Sequence, residues 1–196
     1  RLNCKVIDEV WEQYGQFKAF KGWYLSQECN KNIGGIIDLY ARLGQYCKQV
    51  SKGLPVLISP YIDGFKNLSQ YTNQSRREDS ISLEEHYKTW ESIFKGIQKS
   101  VDIVAFQDGH VEYDQLEEFI KINKSLADQN QITSWINSET FDRDMPIKFL
   151  PIKWDKLRYK LETAGKGFPA LSPLGISTVT MTITLPYSRM LAWLIV

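Results

Sequence analysis

Residues 132–142 read Ile-Thr-Ser-Trp-Ile-Asn-Ser-Glu-Thr-Phe-Asp, a short apolar, β-prone run that ends in a cluster of polar groups. Glu139 stands at that end, two residues after Asn137 and three before Asp142. Three other stretches share the plan. Residues 20–28 end in Glu28, residues 54–63 end in Ser59, Tyr61 and Asp63, and residues 102–110 end in Gln107, Asp108 and His110. Each is followed by a loop and then a segment with helical spacing of apolar groups. Strands that turn polar only at their C-terminal ends, with helices between them, point to a parallel α/β sheet or barrel with a site at one rim.

The rest of the chain supports that alternation. Residues 6–19 place Val6, Val10, Trp11, Tyr14 and Phe17 at helical spacing. Residues 32–52 do the same with Ile33, Ile36, Ile37, Tyr40, Leu43 and Cys47, and Gly53 suits a C-terminal cap. Ser82-Leu-Glu-Glu85 is a capping box that opens a helix with the stripe Tyr87, Trp90, Ile93, Phe94 and Ile97. Residues 113–130 bury Leu116, Phe119, Ile120 and Leu126, and residues 152–164 carry Trp154, Leu157 and Leu161. Within the first strand, Gly22, Tyr24, Ser26 and Glu28 share one face while Trp23 and Leu25 share the other. In a barrel the first set points inward and the second toward the helices.

The predicted order is α-β-α-β-α-β-α-β-α, which argues for parallel strands with right-handed crossovers. Four strands are too few for a closed eight-stranded barrel. The chain is therefore an open sheet or part of a (β/α)8 barrel whose first strands lie upstream. The start at Arg1, inside a helical pattern, carries the expectation that the true N-terminus is missing, so the lack of a signal peptide says little about location. The loop at 63–80 is long and charged, either a solvated surface or a source of substrate contacts. Residues 1–166 form the expected barrel-like domain. Residues 167–196 are an atypical apolar tail, in which Arg189 is the sole charged residue after Lys166. The tail contains a strand-like alternation at 176–185 and ends in an apolar run too short to span a bilayer as a helix.

Composition excludes several classes. The 196 residues suffice for one sizeable core, and a net charge of +1 gives no electrostatic case for nucleic acid or an acidic membrane. The three cysteines, Cys4, Cys29 and Cys47, have no metal-type spacing, and a disulfide framework is not expected at this size. Cys29 follows Glu28 directly, which makes its thiol a candidate nucleophile. The two histidines argue against it: His86 is read in a polar helix and His110 is distant in sequence. No Gly-rich phosphate loop occurs and no cofactor is expected.

The four strand-end runs, Phe-Lys-Gly-Trp-Tyr-Leu-Ser-Gln-Glu at 20–28, Ile-Ser-Pro-Tyr at 58–61, Asp-Ile-Val-Ala-Phe-Gln-Asp-Gly at 102–109 and Trp-Ile-Asn-Ser-Glu-Thr-Phe at 135–141, occur in this order in one family. The chain resembles a bacterial domain-of-unknown-function family grouped with the TIM-barrel glycoside hydrolases and sometimes labelled fucosidase-like. The resemblance covers about residues 1–164. It implies barrel strands four to seven, with strands one to three upstream. It also implies an eighth strand carrying a Thr-Phe-Glu-Phe-Ser-like run, which the tail does not match. A shifted frame or chimeric join near Gly165 would explain that mismatch. Export to the periplasm or beyond is implied by the resemblance alone.

Glycoside hydrolysis needs two carboxyl groups across the scissile bond. By resemblance to the retaining-barrel clan, which places them on strands four and seven, Glu28 is the candidate acid/base and Glu139 the candidate nucleophile. Asp108 would tune a pKa or bind a sugar hydroxyl. Tyr24, Tyr61, Gln107 and Asn137 would supply hydrogen bonds, and Trp135 or Trp23 would stack on a sugar ring. Gln27 departs from the Asn that the clan commonly carries before the acid/base. The structural alternative for each glutamate is a helix cap or a rim ion pair. The functional rivals are a carbohydrate-binding barrel without catalysis and a truncated, inactive fragment that self-associates through open barrel edges.

Overall fold

The computed structural model describes residues 2–64, 80–142 and 150–167. Among them the order is α1 (Leu2–Tyr14), β1 (Trp23–Leu25), α2 (Ile36–Val50), β2 (Val56–Ile58), α3 (Leu83–Ile97), β3 (Ile103–Gln107), α4 (Tyr113–Gln129), β4 (Thr133–Asn137), β5 (Phe141–Asp142), β6 (Leu150–Pro151) and α5 (Trp154–Gly167). The first four strands form one sheet in the order β1-β2-β3-β4, and every pairing is parallel. Each is followed by a helix, so the architecture is α/β and corresponds to part of a TIM barrel.

Strand register sorts the side chains onto two faces. Trp23, Leu25, Val56, Ile58, Val104, Phe106 and Ile136 are buried beneath the helices. Tyr24, Leu57, Ala105 and Trp135 alternate with them on the other face, as the pleat requires. The helix-side core is aromatic. Trp90 of α3 meets Phe106 of β3 edge-on at 4.6 Å between ring centroids, and Phe20 meets Trp23 edge-on at 5.0 Å. Burying such rings contributes both area and preferred edge-to-face geometry.

Local chemistry sets the ends. Ser82 and Glu85 complete the capping box of α3: the Ser82 amide donates to Glu85 Oε2 at 3.0 Å and the Glu85 amide to Ser82 Oγ at 3.2 Å. After α2, Gly53 takes φ 99° and its amide donates to the Lys48 carbonyl at 2.8 Å, closing the helix as glycine readily does. At the start of the strands, Asp102 accepts from the Val56 amide at 2.8 Å and from Lys48 Nζ at 2.7 Å.

Several expectations need correction. The first helix ends at Tyr14 rather than residue 19; Ile7 is its buried residue, while Tyr14 and Phe17 are exposed. His86 is not on a polar surface. It is fully buried, its Nε2 lies 2.7 Å from Asn123 Oδ1, and the rings of Trp90, Phe106 and Phe119 surround it. Burial pushes its pKa down to about 4, against a smaller opposing effect of the Asn123 hydrogen bond. In α5, Trp154 is 67% exposed rather than buried, Leu157 and Leu161 are half-buried, and the buried residues are Lys160, Thr163 and Ala164. The short antiparallel pair of β5 and β6 was not anticipated. The tail from 168 onward and most of the charged loop, residues 65–79, lie outside the described residues. No helix among the described residues is long and apolar enough to cross a membrane.

Candidate active site

The C-terminal ends of the four strands are stitched together by backbone pairing that continues past the strands. The Tyr61 amide donates to the Cys29 carbonyl at 3.1 Å, the Gln107 amide to the Pro60 carbonyl at 2.8 Å, and the Asp108 amide to the Asn137 carbonyl at 3.3 Å. This row brings Glu28, Tyr61, Gln107, Asp108, Asn137 and Glu139 to one rim, as the four strand endings predicted.

Ser59 is the hub of the rim. Its hydroxyl donates to the Ala105 carbonyl at 2.9 Å and accepts from Asn137 Nδ2 at 3.0 Å, while Gln107 Nε2 donates to the Ser59 carbonyl at 2.8 Å. Ser59, Asn137 and Gln107 are thus tied into one network that spans the ends of β2, β3 and β4, and a network of this kind fixes side-chain positions. Burial, together with the nearby charge of Glu28, pushes the Tyr24 pKa up to about 12, so this hydroxyl stays a donor at any working pH. The Tyr61 ring meets His110 edge-on at 5.1 Å.

Glu139 is buried at 4% exposure, whereas Glu28 is exposed on the end of the first strand segment. The Glu139 carboxylate lies directly over Gly109, where any Cβ would overlap its oxygens. Asp108 holds the Glu139 backbone. Its Oδ1 accepts from the Glu139 amide at 2.9 Å and from Lys160 Nζ at 2.7 Å, and its Oδ2 accepts from Ser138 Oγ at 2.9 Å. Lys160 also donates to the Glu139 carbonyl at 3.1 Å. Burial pushes the Asp108 carboxyl up from the usual carboxylate range, opposed by the Lys160 ammonium and the Glu139 amide.

These contacts change two expected roles. Asp108 is 2% exposed and its carboxylate is taken up by three internal donors, which leaves it turned away from any sugar hydroxyl. Trp23 is no stacking platform: it is buried on the helix side and its indole donates to Ser51 Oγ at 3.0 Å. Trp135 lies instead on the inner face, half-buried, and lines an apolar depression with Gly22, Leu57 and Ile103. That depression lies toward the strand starts, away from the polar rim. The titratable groups gather at the rim instead. Cys29 is buried against the Tyr40 hydroxyl and burial pushes its thiol pKa up, so it is not an activated nucleophile.

Ser59 as a hub, Ser138, Tyr40 and Lys160 were absent from the sequence-derived site. Tyr40 of α2 donates through its hydroxyl to the Gln27 carbonyl, beside Glu28. A Lys at position 160 carries no sequence signal for burial, because Lys is almost never fully buried unless paired.

A family profile described as Domain of unknown function (DUF4434) matches residues 1–170. Among solved structures, the chain is similar to a crystal structure described as a "putative alpha-L-fucosidase" from Bacteroides thetaiotaomicron VPI-5482. The identity is 51%, the TM-score is 0.77, and the match covers 83% of this chain and 48% of that one. The chain thus spans about half the length of that solved protein. No curated protein matches.

Proposed function

This chain belongs to the DUF4434 family, and from that premise we propose that its rim is the active site of a glycoside hydrolase. The likeness to a protein described as a "putative alpha-L-fucosidase" supports a carbohydrate substrate. In this reading Glu139 is the nucleophile. It attacks the anomeric carbon as the glycosidic bond breaks, and Glu28 protonates the departing oxygen. Glu28 then takes a proton from water, which displaces the sugar from Glu139. Tyr24, Tyr61, Gln107 and Asn137 contact the sugar.

The observation that carries the reading is the fixing of Glu139. A buried carboxylate at a strand end, anchored through both its own amide and its own carbonyl, is preorganised in the way a nucleophile needs. The test is hydrolysis of 4-nitrophenyl α-L-fucopyranoside and related aryl glycosides by the full protein. Glu139→Gln should cost roughly 10³-fold or more in turnover. Glu139→Gly with azide should regain activity and release a glycosyl azide of inverted configuration. Glu28→Gln should slow poor leaving groups more than 4-nitrophenol. Turnover unaffected by Glu139→Gln would overturn the assignment.

One observation favours a second reading. A general acid gains its raised pKa from burial, and Glu28 is exposed. A carbohydrate-binding barrel without catalysis has no need of a buried acid. Glycan binding by isothermal calorimetry that survives Glu28→Gln and Glu139→Gln, with no turnover in the parent, would select it.

A further inference from the structure

We propose that Lys160 is the positioning residue of the site: from the helix after β4, it holds Asp108 and the Glu139 carbonyl together and so fixes where the Glu139 carboxylate points. The proposal rests on the reading of Glu139 as nucleophile for its catalytic consequence. The positioning itself can be tested independently.

The argument begins with cost. Lysine carries a hydrated point charge on a flexible stem, and taking it out of water is unfavourable by several kcal/mol unless its surroundings compensate. The side chains of Lys160 and Asp108 are 6% and 1% exposed, so both ions are desolvated. Stability alone does not account for such a pair, since apolar groups of similar volume serve as well or better. What the pair achieves is geometric. Nζ bridges Asp108 Oδ1 at 2.7 Å and the Glu139 carbonyl at 3.1 Å, and the same Oδ1 receives the Glu139 amide at 2.9 Å. Residue 139 is therefore gripped on both sides of its Cα by one ion pair, and Ser138 is tied to the other oxygen of Asp108.

The grip also sets direction. With its amide and carbonyl fixed, residue 139 keeps its Cα–Cβ bond at a constant angle. The carboxylate then occupies the space over Gly109, which only a residue without Cβ leaves open. Lys160, Asp108 and Gly109 come from α5 and the end of β3, while Glu139 comes from the end of β4. The site is thus assembled across elements rather than within one loop.

The test reads local order and turnover together in the full protein. In Lys160→Met, the ¹⁵N order parameters of Ser138 and Glu139 should fall from about 0.85 toward 0.6, while those of Val104 and Phe106 stay near 0.85. With 4-nitrophenyl α-L-fucopyranoside, kcat should fall about 10²-fold with KM little changed. Lys160→Arg, which keeps a cation able to reach both oxygens, should restore much of both. If Lys160→Met does not fold, the paired Asp108→Asn/Lys160→Met variant removes both buried charges and carries the same readout. Unchanged order parameters at 138 and 139 in a folded variant overturn the proposal. If the parent protein hydrolyses none of the glycosides, the hydrolase reading falls, and the order parameters still decide the positioning role.

Discussion

Strand β3 is bracketed by two aspartate–lysine pairs of equal length and different physics. Before its first residue, Lys48 Nζ lies 2.7 Å from Asp102 Oδ1, with 26% and 39% of the side chains exposed. Beyond its last residue, Lys160 Nζ lies 2.7 Å from Asp108 Oδ1, with 6% and 1% exposed. The first pair shares its charges with water. Asp102 also clips the strand starts together through the Val56 amide, its own amide and its carbonyl. The second pair is dry and is offset by the hydrogen bonds that hold Ser138 and Glu139. In barrels the strand-start end serves stability and the strand-finish end serves chemistry. The two pairs repeat that division within one strand.

The largest effect should come from separating the dry pair. Lys160→Met leaves Asp108 buried without its cation, which should cost about 3–5 kcal/mol in urea unfolding. Asp108→Asn combined with Lys160→Met should recover most of that loss, because no charge is then stranded. A double variant as unstable as the single one would show that the two charges are not coupled, and would remove the contrast between the ends.

Stability should also fall in acid, because of His86. Burial holds its pKa down to about 4, against 6.5 for an ordinary imidazole. A group depressed in the folded state contributes stability above its unfolded pKa, and that stability is lost as pH falls. The loss should begin near pH 6.5, continue to about pH 4, and reach about 3 kcal/mol. Replacing His86 and Asn123 together by Leu removes the titration and its partner, and should flatten the urea midpoint over this range. A midpoint that still falls as steeply in the double Leu variant would place the acid sensitivity elsewhere.

The contrast between the ends also marks what was legible in the sequence. The four strand finishes could be read because each apolar run turns polar at the same end, and the parallel pairing followed from the intervening helices. The strands themselves are shorter than the pattern suggests: β1 is Trp23–Leu25, although Gly22, Tyr24, Ser26 and Glu28 alternate with Trp23 and Leu25. The polar finishes are rim backbone, joined by single hydrogen bonds rather than a full ladder. His86 sits among the charged neighbours Glu84, Glu85 and Lys88, yet its spacing to Trp90, Ile93 and Ile97 places it on the buried face. Lys160 was not legible at all. Its burial depends on Asp108 and Glu139, which are brought to it by tertiary structure, and helical spacing alone assigns a lysine to solvent. The pair β5–β6 has two residues per strand, too few for any alternation to register.

The smallest effect should follow from Lys48→Met at the strand starts. The pair is partly hydrated, so removing the cation exposes Asp102 to water rather than stranding it. The expected cost is about 0.5–1 kcal/mol at low salt and less as salt is raised. Asp102 keeps its bond from the Val56 amide, so the strand starts stay clipped. Turnover of any glycoside that the parent accepts should be unchanged, because nothing in this pair touches the rim. Urea unfolding at low and high salt checks the first expectation, and the ratio of kcat values checks the second. A loss as large as that of Lys160→Met would mean that burial does not separate the two pairs, and that the division of β3 into a stabilising end and a working end is wrong.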